Sequence, residues 1–200
     1  MRPIELGPNQ IRRFYRGGPR IAAFRGLAAA DEHAPEDWVG STTSAFGEAE
    51  LGRSRLPDGR LLADAVAADP EAFLGREHAA ARGPDPRLLV KLLDAGERLP
   101  VHLHPDGAFA RSALGAPSGK TEAWLMLEAS PGTRVHVGFS RDVAEDELAA
   151  WVEAQDVGAL LGALNAVPVS AGDCLFVPAG LPHAIGEGIL LLEQIGRAHV

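Results

Sequence analysis

Gly172-Asp-Cys-Leu-Phe-Val-Pro178-Ala-Gly180-Leu-Pro-His183 is the stretch whose spacing decides the fold. It reads as a turn, a short apolar strand, a Pro-x-Gly turn and a histidine delivered just beyond the strand. An earlier stretch, Gly96-Glu-Arg-Leu-Pro-Val-His102-Leu-His104-Pro-Asp106, repeats the theme, with its glycine six residues ahead of His102. Gly119-Lys120-Thr121-Glu122 follows after a loop and opens another apolar run. Side chains at i and i+2 of a β-strand point to the same face, so His102 and His104 are expected on one strand as a pincer. Three imidazoles and one carboxylate are good donors for Zn²⁺, and also for Fe²⁺ or Mn²⁺. The expected ligands of one ion per chain are therefore His102, His104, Glu122 and His183.

The two spacings resemble the signature motifs of the cupin superfamily, G-x5-H-x-H and G-x5-P-x-G-x2-H. The second is matched at every signature position through His183. In the first, Glu122 lies farther from its histidines than in small cupins, which implies an insertion between the strands. The resemblance implies a mainly β fold, a cupin jelly-roll β-barrel, with a small helical insertion.

Two hundred residues allow one domain with a sizeable core. A hydrophobic share of 46% and a charged share of 23% are ordinary for a globular protein. The formal charge of −8 argues against a general binder of nucleic acid or anionic membrane. An anionic substrate stays open, because one cation in a pocket outweighs a distant, screened net charge. No apolar run reaches transmembrane length and no secretory leader is evident, which predicts a cytoplasmic location. Cys174 is the single cysteine, so no intramolecular disulfide can form. Its place in an apolar strand predicts a buried structural thiol.

Residues 1–87 are expected to supply strands, loops and short helices packed on the barrel, and residues 88–194 the metal-binding core. Ile11-Arg-Arg-Phe-Tyr and Ile21-Ala-Ala-Phe read as extended, separated by the turn at Gly17-Gly18-Pro19. Short helices are expected at Leu61–Ala67 and at Pro70–Leu74, the latter capped by Asp69. Leu88–Leu93 reads as a buried strand, with the Lys91 stem packed along the core and its amine reaching solvent. Helical spacing in Glu145–Gln155, and a second short helix at Val157–Leu164 capped by Asp156, place the insertion at about 141–165. His33, His78 and His136 read as surface residues.

Ile195-Gly-Arg-Ala-His-Val200 has a different character. It is the translation of a common sequencing-adapter oligonucleotide, so residues 195–200 are expected to be an artefact of a truncated read, with no role for His199.

Beyond the cupin motifs, stretches along nearly the whole chain resemble class I mannose-6-phosphate isomerase in its shorter bacterial form. They include Arg12-Arg-Phe-Tyr-Arg-Gly-Gly, Glu36-Asp-Trp-Val-Gly-Ser-Thr-Thr, Leu89-Val-Lys-Leu-Leu-Asp-Ala, Gly119-Lys-Thr-Glu-Ala-Trp and Phe176-Val-Pro-Ala-Gly-Leu-Pro-His-Ala-Ile-Gly. The resemblance implies zinc-dependent interconversion of mannose 6-phosphate and fructose 6-phosphate through an enediol. The family's Gln, His, Glu, His ligand set becomes His102, His104, Glu122 and His183, so His102 is a departure that keeps metal binding but could shift metal preference. Lys120 matches a lysine implicated in holding substrate, and Glu193 a carboxylate after the last histidine; both are expected catalytic residues. A family serine is replaced by Pro100. The family's catalytic arginine and its second, C-terminal cupin-like portion would lie beyond this chain.

Aldose–ketose isomerisation needs a base poised near neutral pH and a fixed cation for the enediolate. Lys120 shares the parity of Glu122 and is expected to bind substrate. Trp124 shares that face too and is expected to line the pocket. The implied partner is a phosphorylated hexose, with the oligomeric state left open. Two other readings fit the residues: a metal cupin that binds sugar without turnover, and a metal-dependent cupin oxygenase.

Overall fold

The structure is a computed structural model and describes residues 3–45, 48–116 and 118–196. Nine strands form two antiparallel sheets, as the mainly β, cupin-like reading requires. The larger sheet is built from β1 (Gln10–Ile11), β2 (Glu36–Val39), β3 (Leu88–Ala95), β4 (Thr121–Ala129), β7 (Cys174–Val177) and β9 (Ile189–Gly196). Its order is β1-β2-β3-β9-β4-β7. The smaller sheet, β6-β5-β8, joins β5 (Arg134–Phe139), β6 (Leu164–Pro168) and β8 (His183–Ile185). Between them lies a core that includes Leu93, Trp124 and Leu191 from the larger sheet and Val135 and Ile185 from the smaller.

Register aligns the side chains that matter. Trp38 lies opposite Lys91, Lys91 opposite Glu193, Glu193 opposite Trp124, and Trp124 opposite Leu175. Opposed residues share a face, so this row runs across the interior of the larger sheet and carries two charged groups into it. Residues 1–87 contribute β1 and β2 to that sheet as well as packing elements.

Ile21-Ala-Ala-Phe is not extended. It lies in helix α1 (Pro19–Arg25), whose Pro19 occupies the first turn. The cause is tertiary: buried Asp94 accepts from the Gly18 and Arg20 N–H groups at 2.7 and 2.9 Å and so caps the helix. Gly17 allows this approach, because a Cβ there would fall 1.8 Å from the Asp94 carbonyl oxygen. Ile21 then packs on Leu92 and Leu190, covering the outer face of β3 and β9. This explains why β3 carries leucines on both faces.

Helices α2 (Leu62–Ala68) and α3 (Pro70–Leu74) fall where expected, and the Asp69 carboxylate caps α3 through the Ala72 N–H. Helix α4 (Arg76–Arg82) buries no side chain and therefore left no apolar stripe to read. Helix α5 (Gly107–Ala113), capped by Asp106, fills the gap between the first two histidines and Glu122. Helices α6 (Glu145–Ala154) and α7 (Val157–Gly162) form the second insertion, with Asp156 capping α7. They pack shallowly: Leu148 and Trp151 are half-buried and Val152 is exposed.

Two expectations are corrected in this framework. Cys174 is exposed, because β7 alternates and sends Leu175 and Val177 inward while Cys174 and Phe176 face out from the sheet edge. His102 and His104 do not lie on a regular strand; His102 makes one antiparallel bridge, to His183. At the chain end, β9 runs through Ile195 and Gly196. Ile195 is buried against Trp38 and Leu89, and Gly196 pairs with Leu88 and Thr121. Residues 197–200, with His199, lie outside the described residues. Among the described residues no helix is long and apolar enough to cross a membrane.

Leu191→Ala, at a fully buried position, should cost about 2–5 kcal/mol in chemical denaturation. Cys174→Ser should change stability by no more than about 0.5 kcal/mol. The Cys174 thiol should also react with a soluble thiol reagent in the folded protein, and a protected thiol would contradict its placement.

Candidate metal centre

The two histidine stretches are clamped together by their backbones. The His183 N–H donates to the His102 carbonyl at 2.8 Å, and the His102 N–H donates to the His183 carbonyl at 3.0 Å. The Gly180 N–H donates to the His104 carbonyl at 2.7 Å. Gly180 has φ 85, so the Pro-x-Gly turn uses the left-handed backbone that glycine supplies. The glycine of one motif thus fixes the second histidine of the other. His183 opens β8 on the smaller sheet and Glu122 stands on β4 of the larger, so the cluster bridges the two layers.

The three rings meet with centroids 4.3–5.1 Å apart. One ligand nitrogen from each of His102, His104 and His183 lies within 4.8 Å of the others. Glu122 Oε1 is 3.0 Å from His104 Nε2, and Glu122 Oε2 is 3.7 Å from His183 Nε2. The tautomers follow from the backbone. His102 Nδ1 lies 2.9 Å from the Pro100 carbonyl and His183 Nδ1 lies 2.8 Å from that of Leu181. A carbonyl only accepts, so each Nδ1 carries the proton and each Nε2 keeps its lone pair. His183 Nε2 is buried with no hydrogen-bond partner. An orphaned buried acceptor beside two other imidazoles and a carboxylate is what a divalent metal would satisfy, so these residues fit one.

Electrostatics favour the ligating forms. Burial, reinforced by neighbouring His183, pushes the His102 pKa down to about 4. Burial lowers His104 and His183 as well. Burial alone would raise Glu122, but the His104 contact and the Lys120 charge outweigh it and hold the carboxyl well below its usual range. Neutral imidazoles and an ionised carboxylate are the species that bind metal.

His102, Glu122 and His183 line a cavity of about 320 Å³ between the sheets. Lys120 reaches into it, with Nζ 2.8 Å from Glu122 Oε1 and 3.1 Å from His104 Nε2. Glu193 is buried in the cavity wall rather than solvated, and Lys91 Nζ lies 2.6 Å from its Oε2. That contact is a charge pair without hydrogen-bond alignment, as the oxygen has no partner of good angle. Lys91 therefore overturns its expected role: its amine does not reach solvent but is buried in the cavity between Glu193 and Glu36. Trp124 is corrected too. It is fully buried behind the site, outside the cavity wall, and its indole N–H donates to Glu122 Oε2 at 3.1 Å while its ring meets His183 edge-on. His136 is half-buried, and its ring nitrogen Nδ1 is enclosed.

Lys91, Glu36 and Tyr15 line the cavity and were not read as site residues. Composition carries a signal for the first. The chain has seventeen arginines and two lysines, Lys91 and Lys120, and both lysines line this one cavity. Where arginine serves every other cationic position, a retained ammonium marks a site that needs a compact point charge. A larger, open depression of about 790 Å³ lies between the Glu5–Asn9 and Glu50–Pro57 loops, away from the cluster, and gathers no comparable chemistry.

No family model matches the chain. Curated relatives do. The mannose-6-phosphate isomerase of Streptococcus mutans serotype c is 42% identical over 106 residues, 53% of this chain and 32% of that protein. The "Probable mannose-6-phosphate isomerase GmuF" of Bacillus subtilis (strain 168) is 30% identical over 194 residues, 96% of this chain and 57% of that protein. Among solved structures, the mannose 6-phosphate isomerase from Bacillus subtilis superposes with a TM-score of 0.80 at 26% identity, covering 100% of this chain and 60% of that one. The chain thus spans 32–60% of the length of these relatives. In sequence and in fold it is similar to mannose-6-phosphate isomerases over this part of their length.

The depressed histidine values set a pH dependence. Each imidazole titrates below its ordinary value of 6.5, so each is less protonated at pH 6.5 than a free histidine and protons compete less with metal there. Apparent affinity for a divalent ion, read by calorimetry, should fall less from pH 8 to 6.5 than it would for unperturbed histidines. Three ordinary imidazoles would lose about eightfold over that range, and such a loss would refute the assignment.

Proposed function

We propose, from this kinship with the mannose-6-phosphate isomerases, that the cavity is the metal-bearing part of a sugar-phosphate isomerase interconverting mannose 6-phosphate and fructose 6-phosphate. The observation that carries the reading is the cluster of three imidazoles with Glu122, two of those imidazoles and Glu122 lining the cavity that both lysines also line. His102, His104, Glu122 and His183 would hold one ion, Zn²⁺ by preference for imidazole and carboxylate donors, with Fe²⁺ or Mn²⁺ as the other candidates. When bound, such an ion polarises a substrate carbonyl or fixes the sugar hydroxyls.

Charge balance supports a phosphorylated ligand. The carboxylates of the cavity wall, Glu36, Glu122 and Glu193, are matched by Lys91, Lys120 and Arg13, the last bonded to Glu36. The histidines add no charge. A divalent ion brings two positive charges with no further carboxylate in the wall to offset them, and a phosphate monoester carries nearly two negative ones.

In this reading Glu193, at the cavity wall, removes a proton from the carbon α to the carbonyl and returns it to the neighbouring carbon of the enediol. Lys120 supplies the fixed cation that meets the enediolate or the phosphate. The surrounding apolar wall, with Leu93, Leu99 and Ile185, limits water at the reacting carbons. A cytoplasmic location, where sugar phosphates are made and used, belongs to the same proposal.

A coupled assay of fructose 6-phosphate formation tests it. Activity should vanish with chelator and return with Zn²⁺. His183→Ala should abolish both metal binding and turnover, and activity persisting in that variant would refute the site. Lys120→Gln should keep full metal content while lowering kcat/KM by about 10²-fold. The chain's partial span of its relatives favours one second reading, binding without turnover; tight sugar-phosphate binding with no product would establish it. Substrate-dependent oxygen uptake would overturn both.

A further inference from the structure

Along one wall of the cavity runs a buried charge network in which the isomerase reading gives a step to Glu193 alone. Glu36, 4% exposed, collects an unusual number of donors on one carboxylate. Arg13 meets it with two parallel bonds, Nε to Oε1 and Nη2 to Oε2, both 3.1 Å. The Tyr15 hydroxyl donates to Oε1, and the Trp38 indole N–H donates to Oε2 at 2.7 Å. The Arg13 guanidinium also lies over the Trp38 ring, 5.5 Å from its centroid. Lys91 Nζ is 3.7 Å from Glu36 Oε2 and 2.6 Å from Glu193 Oε2. Charges alternate along this chain from the surface to the cavity: Arg13, Glu36, Lys91, Glu193.

We propose that Glu36 is a positioning residue: anchored by Arg13, Tyr15 and Trp38, it holds the Lys91 ammonium against Glu193 at the cavity wall for an anionic sugar ligand. The proposal rests on the sugar-phosphate reading for the ligand, though not for the geometry. Burial in the cavity works against the ammonium and brings Lys91 down to about 8, and the charge of Glu36 is the largest influence opposing that fall. Glu122 acts in the same direction, Lys120 and Arg13 against it, and Glu193 touches the amine directly. Glu36 itself is kept ionised: burial would raise it, but Lys91 and Arg13 bring it down to about 2. Removing the negative charge while keeping the shape should therefore release Lys91 at neutral pH.

The test uses the full chain labelled with ¹³Cε-lysine. It holds two lysines, so the side-chain spectrum has two signals, and Lys120→Arg assigns them. In Glu36→Gln the Lys91 titration midpoint should move acidward by about one pH unit or more. Glu36→Asp, which retains the charge at a shorter reach, should fall between Gln and wild type. Circular dichroism and metal content should match wild type in both. Fructose 6-phosphate binding to the metal-loaded protein should weaken in Glu36→Gln, and more at pH 8 than at pH 6.5, a pH dependence that loss of packing alone would not produce. An unmoved Lys91 midpoint in a folded variant overturns the proposal. Should Glu36→Gln fail to fold, the Asp variant decides by the same midpoint. The titration needs neither metal nor turnover, so a shifted Lys91 with no sugar-phosphate binding would refute the isomerase reading and leave the positioning role standing.

Discussion

Three carboxylates buried around one cavity are a severe constraint, and the arrangement of the site follows from satisfying it. Glu36, Glu122 and Glu193 are each under 5% exposed. An ionised carboxylate without partners costs many kcal/mol in an apolar interior, so it must neutralise or be matched. The chain matches all three. Arg13, Tyr15, Trp38 and Lys91 surround Glu36. Lys91 reaches Glu193, while Lys120, His104 and Trp124 reach Glu122. Both lysines of the sequence are committed to this balance.

The fold serves that arrangement. Cross-strand register puts Trp38, Lys91, Glu193 and Trp124 in one row on the inner face of the larger sheet, which a one-residue slip would turn outward. The smaller sheet faces that row with His183, and the reciprocal bridge between His102 and His183 ties a loop to its edge. The proposed metal-binding groups therefore come from both layers and meet in the space between them. Such a site is rigid because each contributor is held by main-chain bonds, not by long side chains alone.

What the sequence reveals and conceals follows from how local each signal is. The clustering of the three histidines was legible because glycine, proline and histidine spacings act within a few residues: Gly180 makes its turn, and His183 follows three positions later. The cupin-like fold came with those spacings. Helix α1 was hidden, since its cap, Asp94, lies more than seventy residues away. The exposure of Cys174 depends on nothing covering β7 among the described residues, which an apolar run cannot announce. Lys91 looked like a snorkelling stem because its two carboxylates sit on other strands, β2 and β9. Trp124 had the right parity for the pocket, yet parity does not fix depth, and its indole spends its polar end on Glu122.

The central claim is that four side chains from three separated stretches bind one metal ion. X-ray absorption at the metal edge of the zinc-loaded protein tests it most directly. The account predicts one ion per chain, with three imidazole nitrogens and one carboxylate oxygen at about 2.0–2.2 Å, and no bound ion in His183→Ala. Binding that survives the loss of His183 with an unchanged shell, or a shell with fewer than three imidazoles in the intact protein, would contradict it.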